Sequence, residues 1–486
     1  MTPRFKIKLA AIAKDEGFYL PLWVYHHLHF GFDVIDIRIN DTTDNSLKIL
    51  EKLKAIYGAR LRFSVADKEL QACKEKDANF QAYIYTQIHE ETLKEDFTHL
   101  IFLDIDEYWC AANFNETIKD FLTKNSDFDV CMFQWLIELP NSQRALDDFA
   151  FSSTIAGQKS DHVKSLMNTK AAIVAVRIHN CVVKQGRYIL PDHTQIDFPE
   201  DDRSRGILPT ALFEAGRLKL ENYFVYHQVF RSQTEYVAGL LRGNKQNGDD
   251  SLLKTNRFGF LPTNPVDYNL TWTIDPAVLS IYQQNYFELI KKFPVEFAEA
   301  RQFVLTRKEA VIAYLQSNSF LQQIYASKMR GIGEDIYQRT ELSYPFKASV
   351  SKLVFDEESR VCSFNCEISS PAAHYELLIT QSFLPTPVPA TLKLLSEQLQ
   401  NKTTVKKFQV AIAMQDLAYV IYSRQPPFCL VAKLGDQLIV LERMKFRSVA
   451  PAIATHAQQL RKLELQQPKV VAPKLSGFWN KLLGRA

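Results

Sequence analysis

Three acidic residues, Asp104, Asp106 and Glu107, directly follow the apolar run from Leu100 to Leu103. Such a run is typical of a strand that is covered on both faces of a sheet. In open α/β sheets, ligands bind at the carboxyl ends of these strands. Crowded carboxylates need a counter-charge there, and Mg²⁺ or Mn²⁺, which prefer oxygen ligands and usually share substrate phosphates, would supply it. The spacing predicts an enzyme that acts on a nucleotide-activated substrate.

The three acids also have a simpler explanation. Asp-x-Asp spacing arises by chance, and a polar turn after a strand often contains acidic residues that bind nothing. The context favours a ligand site, because the segment from His99 to Leu103 is nearly continuous in apolar residues and the acids stand at its carboxyl end.

Strand and helix patterns alternate along the first part of the chain. Strands are predicted at 6–13, 34–40, 61–65 and 99–103, separated by helices from residue 20, over 46–57 and over 80–95. Further strands are predicted at 130–135, 171–178 and 222–230, with a loop-rich stretch between the first two and a mobile loop at 199–206. A capping box formed by Ser232 and Glu235 predicts another helix. Alternation of this kind predicts an α/β domain with a Rossmann-like, mostly parallel sheet over residues 1–250.

The rest of the chain changes character twice. The pattern is helical from about residue 275 to 339, which predicts a helical connector over 251–340. Short strands without intervening helices then predict a β-rich, sandwich-like accessory domain over 341–465. Residues 466–486 are predicted to form a linker and a short basic amphipathic helix. Such a helix would lie on a membrane surface or dock on the protein itself.

Composition excludes several classes of protein. A net charge of +3 over 486 residues, without a basic cluster interleaved with aromatic residues, predicts no nucleic-acid partner. The seven cysteines are scattered and odd in number, which suits reduced thiols in a cytoplasm. The sequence shows neither a signal-peptide pattern nor a run of about eighteen apolar residues. The expected location is the cytoplasm, with contact to the inner face of the membrane only through the tail.

Several ordered blocks between residues 6 and 247 are more specific than the acids alone. They are Lys14-Asp15-Glu16 with Trp23 and His27, Asn40 to Ser46, Phe102 to Tyr108, Lys164-Ser165 with His179, and Tyr226-His227 with Glu235. Together they resemble glycosyltransferases of the GT-A fold, of the family 2-like or family 92-like type. The chain departs from that pattern twice, with Asp15 in place of an asparagine and with Leu136 to Ser142 in place of a glycine-rich stretch.

The resemblance implies roles in binding the donor. Asp15 and Glu16 would hold the base and ribose of the nucleotide, and Asp44 would accept hydrogen bonds from the base. Arg242 and Lys245 would steady the diphosphate as it leaves. Simpler roles stay open, because Asp15 and Glu16 can cap the helix that follows them and Asp44 can be a turn residue.

The resemblance also implies a metal site and a catalytic base. Asp104 would contact the ribose or a metal-bound water, Asp106 would coordinate Mn²⁺ or Mg²⁺, and His227 would complete the metal site. A structural role for His227 is the alternative. Transfer with inversion needs a group that deprotonates the acceptor hydroxyl. The candidates for this base are Asp192, His193 and Glu138.

Together with these observations, the resemblance implies a metal-dependent, inverting glycosyltransferase. It would move a sugar from a nucleotide-sugar donor to a glycan or glycolipid acceptor in the synthesis of a bacterial surface polysaccharide, such as capsule or lipopolysaccharide. Two other functions stay open: a non-catalytic glycan-binding protein, and a metal-dependent phosphoryl or nucleotidyl transferase. The sequence lacks a Gly-x-x-x-x-Gly-Lys-Ser/Thr loop, which weighs against the P-loop form of the last class.

Overall fold

A computed structural model describes most of the chain. The described residues are 5–198, 205–209, 220–241, 253–254, 256–263, 266–316, 325–338, 346–351, 354–356, 358–370, 374–381, 384–400, 403–413, 428–434 and 437–443. Arg242, Lys245, most of the predicted loop at 199–206 and the predicted tail lie outside them. The chain divides into two compact units, Met1–Ala313 with Ser327–Tyr337, and Tyr314–Ala326 with Gln338–Ala486.

Strands and helices alternate over the first half of the chain, as predicted. The elements up to residue 338 are β1 (Ile7–Ala13), α1 (Leu20–His29), β2 (Val34–Ile39), α2 (Ser46–Tyr57), β3 (Leu61–Val65), α3 (Asp67–Glu75), α4 (Phe80–Leu93), β4 (His99–Phe102), β5 (Glu107–Ala111), α5 (Ile118–Lys124), β6 (Val130–Glu138), β7 (Thr154–Asn168), β8 (Ile173–Val176), β9 (Cys181–Val183), β10 (Tyr188–Ile189), β11 (Tyr223–His227), α6 (Gln233–Leu240), β12 (Asn269–Thr273), α7 (Pro276–Ile290), α8 (Pro294–Gln316) and α9 (Glu334–Gln338). The predicted capping box at the start of α6 is confirmed, because the side chains of Ser232 and Glu235 each accept the other's backbone N–H.

One mixed sheet organises the first unit. Its strand order is β3-β2-β1-β4-β7-β6-β11-β5, with β10 beside β6 and β12 beside β7. Strands β3, β2, β1 and β4 run parallel, whereas β7 runs antiparallel to β4 and β6. The α/β fold class with a large, mostly parallel sheet is confirmed at this level. Strands β2 and β3 follow on one side of β1 and β4 lies on the other, so the strand order reverses at β1, where sheets of this kind bind ligands.

The first unit extends past residue 250, the predicted end of the α/β domain. Strand β12 pairs with β7, placing Trp272 opposite Ile155. Helix α7 buries Tyr282 in the same hydrophobic core as Trp23 and Trp109. Much of the segment predicted as a helical connector therefore packs into the first unit, because one face of α7 is apolar enough to join that core.

Strand β7 is the largest difference from the sequence expectation. The segment was expected to be loop-rich, but it forms a 15-residue strand near the centre of the sheet. Its polar residues are buried in pairs: Lys159 lies 3.0 Å from Glu221, and Lys164 lies 3.0 Å from Asp104. Internal pairing makes buried lysines tolerable, and local sequence gives no sign of such distant partners.

The second unit is rich in β-structure, as predicted. Its strands are β13 (Lys347–Val350), β14 (Val354–Asp356), β15 (Val361–Ser370), β16 (Glu376–Gln381), β17 (Leu384–Pro387), β18 (Thr391–Gln400), β19 (Thr403–Ala413), β20 (Phe428–Leu434) and β21 (Gln437–Arg443). They form two antiparallel sheets, β13-β15-β19-β18 with β14 beside β15, and β17-β16-β20-β21. Residues of both sheets, such as Phe364 and Ile379, share one hydrophobic core. No described helix in either unit combines the length and apolar composition that crossing a bilayer requires.

His99, at the start of β4, makes the first unit sensitive to acid. The side chain contacts the rings of Phe5 and Phe128, and its buried Nε2 has no hydrogen-bond partner among the described residues. Burial lowers the pKa of His99 to about 4. The unfolded chain takes up this proton near pH 6.5, so the stability that depends on a neutral His99 is present above that pH and is lost as the pH falls toward 4.

When the pH is lowered from about 7.5 to about 5, the unfolding free energy should fall in both proteins. We expect the fall to be about 2 kcal/mol smaller for a His99→Leu variant than for the wild type. The two proteins share their other titrating groups, so these cancel in the comparison. Urea unfolding of both proteins at the two pH values measures the difference. An identical pH dependence for both would contradict the prediction.

Candidate active site

The acidic turn between β4 and β5 is fixed by α1 before any ligand binds. Nε1 of Trp23 donates to the backbone carbonyls of Asp104 and Glu107, at 3.0 and 2.9 Å. The backbone N–H of Asp104 donates to the carboxylate of Glu107 at 2.8 Å. Trp23, from the first of the ordered sequence blocks, thus ties α1 to both ends of the acidic turn.

Lys164 on β7 provides the counter-charge for two of the three acids. Its fully buried ammonium lies 3.0 Å from Oδ2 of Asp104 and 3.1 Å from Oε2 of Glu107. Gln81 and Tyr85 of α4 also donate to Asp104, at 3.2 and 3.4 Å. Burial raises the pKa of Glu107 to about 7, although Lys164 opposes this change. The sequence suggested a metal as counter-charge for the turn, but for Asp104 and Glu107 the counter-charge is a lysine.

Asp106 has a different partner. Its Oδ2 lies 3.7 Å from Nε2 of His227, the last residue of β11. Burial alone would raise the pKa of Asp106, but the charges of His227, Arg231 and Arg257 outweigh burial and hold that pKa well below its ordinary value. Burial would likewise lower the pKa of His227, but Asp106 and Glu107 raise it. The two predicted metal ligands thus face each other across 3.7 Å.

Asp106 and His227 fit a divalent metal that completes its coordination with ligand oxygens. Their 3.7 Å separation is within the span of two metal–ligand bonds of about 2.1 Å each. Mg²⁺ is commonly held by one or two protein groups together with substrate phosphates, and imidazole is a usual ligand of transition metals. Within the described ranges, no group of three or more His, Cys, Asp and Glu residues is placed to hold a metal. The fit is therefore that of a two-residue site, and the part that Asp104 plays in it stays a prediction.

Asp15 and Glu16 follow β1, next to the point where the strand order reverses. Oδ1 of Asp15 accepts the backbone N–H of Thr43 at 2.6 Å, and its Oδ2 lies 3.6 Å from Arg307 of α8. Oε2 of Glu16 lies 3.7 Å from Arg231. Each acid therefore holds an arginine, besides shaping the turn after β1.

The carboxylate of Asp44 is occupied by backbone contacts. It accepts the N–H groups of Gly17 and Ser46, at 2.7 and 2.9 Å. A Cβ atom at position 17 would lie 2.8 Å from Oδ2 of Asp44, so this close approach requires glycine. These contacts match the simpler role of Asp44 as a turn residue. Binding of a nucleotide base by Asp44 stays a prediction.

A cleft lined by Asp15, Glu16 and Asp106 also contains basic residues that the sequence did not single out. The basic residues are Arg231, Lys254, Arg257 and Arg307, and Tyr19 and Glu235 also line the cleft. The guanidinium of Arg231 lies 3.4 Å from the centre of the Tyr19 ring and donates to the carbonyl of Ile105 at 3.2 Å. Arg231 also has a positive φ of 55°, a costly conformation that often occurs at functional sites.

Only weak signals in the sequence pointed to these basic residues. Arg231 lies inside the last block that resembles the GT-A enzymes, directly before the capping serine of α6. Arg307 lies in the helical segment that was predicted to be a connector.

The described lining leaves a free volume of about 50 Å³, which is small compared with the several hundred Å³ of a typical ligand pocket.

None of the three predicted bases lines this cleft. Glu138 is buried and bound to Arg144, and it accepts the backbone N–H of Arg231 at 2.8 Å. Its contacts are those of a residue that supports the conformation of Arg231. Asp192 and His193 are exposed on the turn after β10, where Asp192 accepts the N–H of Thr194 at 3.0 Å.

The structure thus brings together Asp15, Glu16, Asp106 and His227 where strands β1, β4 and β11 end. Asp44 and Asp104 lie near these strand ends, with their carboxylates bound to protein groups. No protein-family model matches the chain, and no curated protein matches it.

Proposed function

We propose that the chain is a metal-dependent glycosyltransferase. It transfers a sugar, with inversion, from a nucleotide-sugar donor to a glycan or glycolipid acceptor in bacterial surface polysaccharide synthesis. The observation that carries this proposal is the meeting of Asp15 and Glu16 with the Asp106–His227 pair where the strand order reverses, a place where α/β sheets bind nucleotides. The residues that follow these strand ends also belong to the sequence blocks that resemble GT-A enzymes.

The charges of the cleft suit a diphosphate. Arg231 and Arg307 are held by Glu16 and Asp15, at 3.7 and 3.6 Å, so their positions are set before a donor binds. Arginine is well suited to phosphate oxygens because its planar group donates several hydrogen bonds. A Mn²⁺ or Mg²⁺ ion bound by Asp106 and His227 would neutralise charge on the departing diphosphate.

Donor binding on this proposal includes movement of the cleft. A nucleoside diphosphate needs more room than about 50 Å³. The arginines that fill the space are joined to their acids at 3.6 to 3.7 Å rather than by short hydrogen bonds. On this proposal, contacts of the arginines to phosphate oxygens replace these contacts when the donor binds.

Thermal unfolding in the presence of UDP, GDP, CMP and their sugars, with and without Mn²⁺, tests the proposal. A ligand that binds only the folded protein stabilises it, by about 2.7 kcal/mol at a concentration of 100 times Kd. We expect a Mn²⁺-dependent rise of the melting temperature for one nucleotide. No rise for any nucleotide would contradict the proposal. Release of phosphate or pyrophosphate, instead of a nucleoside diphosphate, would identify a phosphoryl or nucleotidyl transferase.

Glycan binding by the second unit is a second candidate function, favoured by an open depression in its surface. This depression, of about 480 Å³, is lined by His374, Tyr375, Glu376, Lys406 and Lys433. The ammonium of Lys406 lies 5.1 Å from the centre of the Tyr375 ring. An aromatic ring beside several hydrogen-bonding groups is suited to a sugar. Polysaccharide affinity that survives both chelation and Asp106→Ala would favour this function over catalysis.

A further inference from the structure

A cluster of aromatic rings lies beside Asp106 and His227 and has no role in the donor binding proposed above. The indole of Trp135 on β6 contacts the rings of His227, His162 and His179, with centroids 4.3, 4.9 and 5.2 Å away. The rings of His162 and His179 lie 5.7 Å apart. Trp135 therefore joins the predicted metal ligand His227 to two further histidines.

His162 has the partners of an oriented imidazole. Its Nδ1 lies 3.0 Å from Oδ1 of Asp161 and 3.3 Å from Oγ of Ser160. Its ring stacks on Trp135 with an interplanar angle of 7°. With Nδ1–H donating to Asp161, Nε2 carries a lone pair, and the side chain is 37% exposed. A carboxylate and a stacked ring thus fix the orientation of a partly exposed imidazole.

The pairing of β7 with β6 is irregular where Asp161 and His162 lie opposite Trp135. The pairing between β6 and β7 shifts register between Gln134 and Leu136, next to Trp135. Such bulges often re-aim a side chain beside an active site. His162 stands two residues from Lys164, which binds the acidic turn. Burial lowers the pKa of His179 to about 3, and the charges of Lys164, His162 and His227 also act on it, so these groups share one environment.

Two buried nitrogen atoms in the cluster have no hydrogen-bond partner among the described residues. They are Nε1 of Trp135 and Nδ1 of His179. Leaving a buried polar group unpaired costs about 1–3 kcal/mol. These atoms are enclosed in the structure, so they reach the hydroxyls of a saccharide only when the site moves to admit its ligands.

We propose that His162, oriented by Asp161, is the general base for the acceptor, and that Trp135 and His179 bind a hydroxyl-bearing saccharide acceptor beside it. This assignment rests on the proposed glycosyltransferase function. It replaces Asp192 and His193, which are exposed on the turn after β10, and Glu138, whose carboxylate is bound to Arg144 and to the backbone of Arg231.

The proposed step is a direct displacement. Nε2 of His162 takes the proton of the acceptor hydroxyl as the oxygen forms a bond to the anomeric carbon. The bond between that carbon and the diphosphate oxygen breaks, and its electron pair leaves with the nucleoside diphosphate. The proton stays on His162 as an imidazolium, which the carboxylate of Asp161 stabilises.

Release of nucleoside diphosphate, with water as the acceptor, tests the assignment. The donor is the nucleotide sugar that stabilises the wild type most with Mn²⁺. We expect His162→Gln to keep that stabilisation and to lower kcat roughly 10²- to 10⁴-fold, the range for loss of a general base. Added imidazole should partly restore His162→Ala, which a merely structural role would not allow. Asp161→Asn should also lower kcat, because His162 loses the carboxylate that orients its ring.

The outcomes separate this assignment from the proposed function. His29→Asn, which changes an exposed histidine at the end of α1, is the matched control and should behave as the wild type. A His162→Gln rate within about threefold of wild type would overturn the base assignment alone, since a general base is worth far more. Donor binding without any hydrolysis by the wild type would overturn it too, because a base in this position should activate water. No stabilisation by any nucleotide would reject the glycosyltransferase function, and the base with it.

Discussion

Replacement of Lys164 by methionine should lower the unfolding free energy by about 3–5 kcal/mol, the usual cost of removing one partner from a buried ion pair. The ammonium is fully buried between Asp104 and Glu107. Methionine fills much of the same space but leaves two carboxylates without a cation. Urea unfolding of the wild type and the variant at neutral pH measures the loss.

The sign of the pH dependence gives a second test of the same variant. Burial already raises the pKa of Glu107 to about 7, and loss of Lys164 should raise it further. An acid with a raised pKa in the folded state binds more protons there than in the unfolded state, so its stability contribution falls as the pH rises above the unfolded value near 4.5. The deficit of Lys164→Met should therefore shrink toward about pH 5. Adding Glu107→Gln to this variant should recover part of the stability at neutral pH.

Lys291→Met is the matched control for Lys164→Met. Lys291 forms an exposed pair with Glu288, and such pairs contribute little to stability. A loss for Lys164→Met no larger than for this control would contradict the role of Lys164 as a buried counter-ion.

The predictable parts of the fold are those with local signals. The observed bounds of α2 and β3 are those predicted, and β1 and β2 differ from the predictions by one residue at one end. Buried parallel strands are nearly continuous in apolar residues, and amphipathic helices repeat every three to four residues, so a short window contains the evidence. The same logic placed Asp15, Glu16 and Asp106 at one edge of the sheet, because each follows a strand that runs in the same direction.

The unpredicted parts depend on distant partners. The sequence did not show that Lys159 and Lys164 of β7 are buried, because their partners Glu221 and Asp104 lie 62 and 60 residues away. Arg231 and Arg307 are likewise far in sequence from Glu16 and Asp15, which they contact. The sequence therefore did not show that they line the cleft. The base candidates were chosen by their position after strands or in a loop, and that position does not reveal which side chains face the site.

Asp106→Asn should abolish the Mn²⁺-dependent effect of the nucleotide and lower turnover by at least about 10²-fold, a usual cost of losing one group that stabilises developing charge. The fold should survive, because the Asp106 side chain is 24% exposed and asparagine has the same shape. Thermal unfolding with and without Mn²⁺, together with nucleoside diphosphate release, measures both effects. Asp147→Asn, which changes an acid in an exposed pair with Arg301, is the control and should leave both unchanged.

A double-mutant cycle decides whether Asp106 and His227 act as one site. If both bind the same metal, His227→Gln alone should lose the Mn²⁺ effect, and adding it to Asp106→Asn should cost little more. Groups that act as a unit are strongly non-additive, whereas independent sites add. Additive losses would mean that the 3.7 Å pair is only an internal ion pair. Donor binding would then depend on the arginines of the cleft, and stabilisation by the nucleotide should persist after chelation.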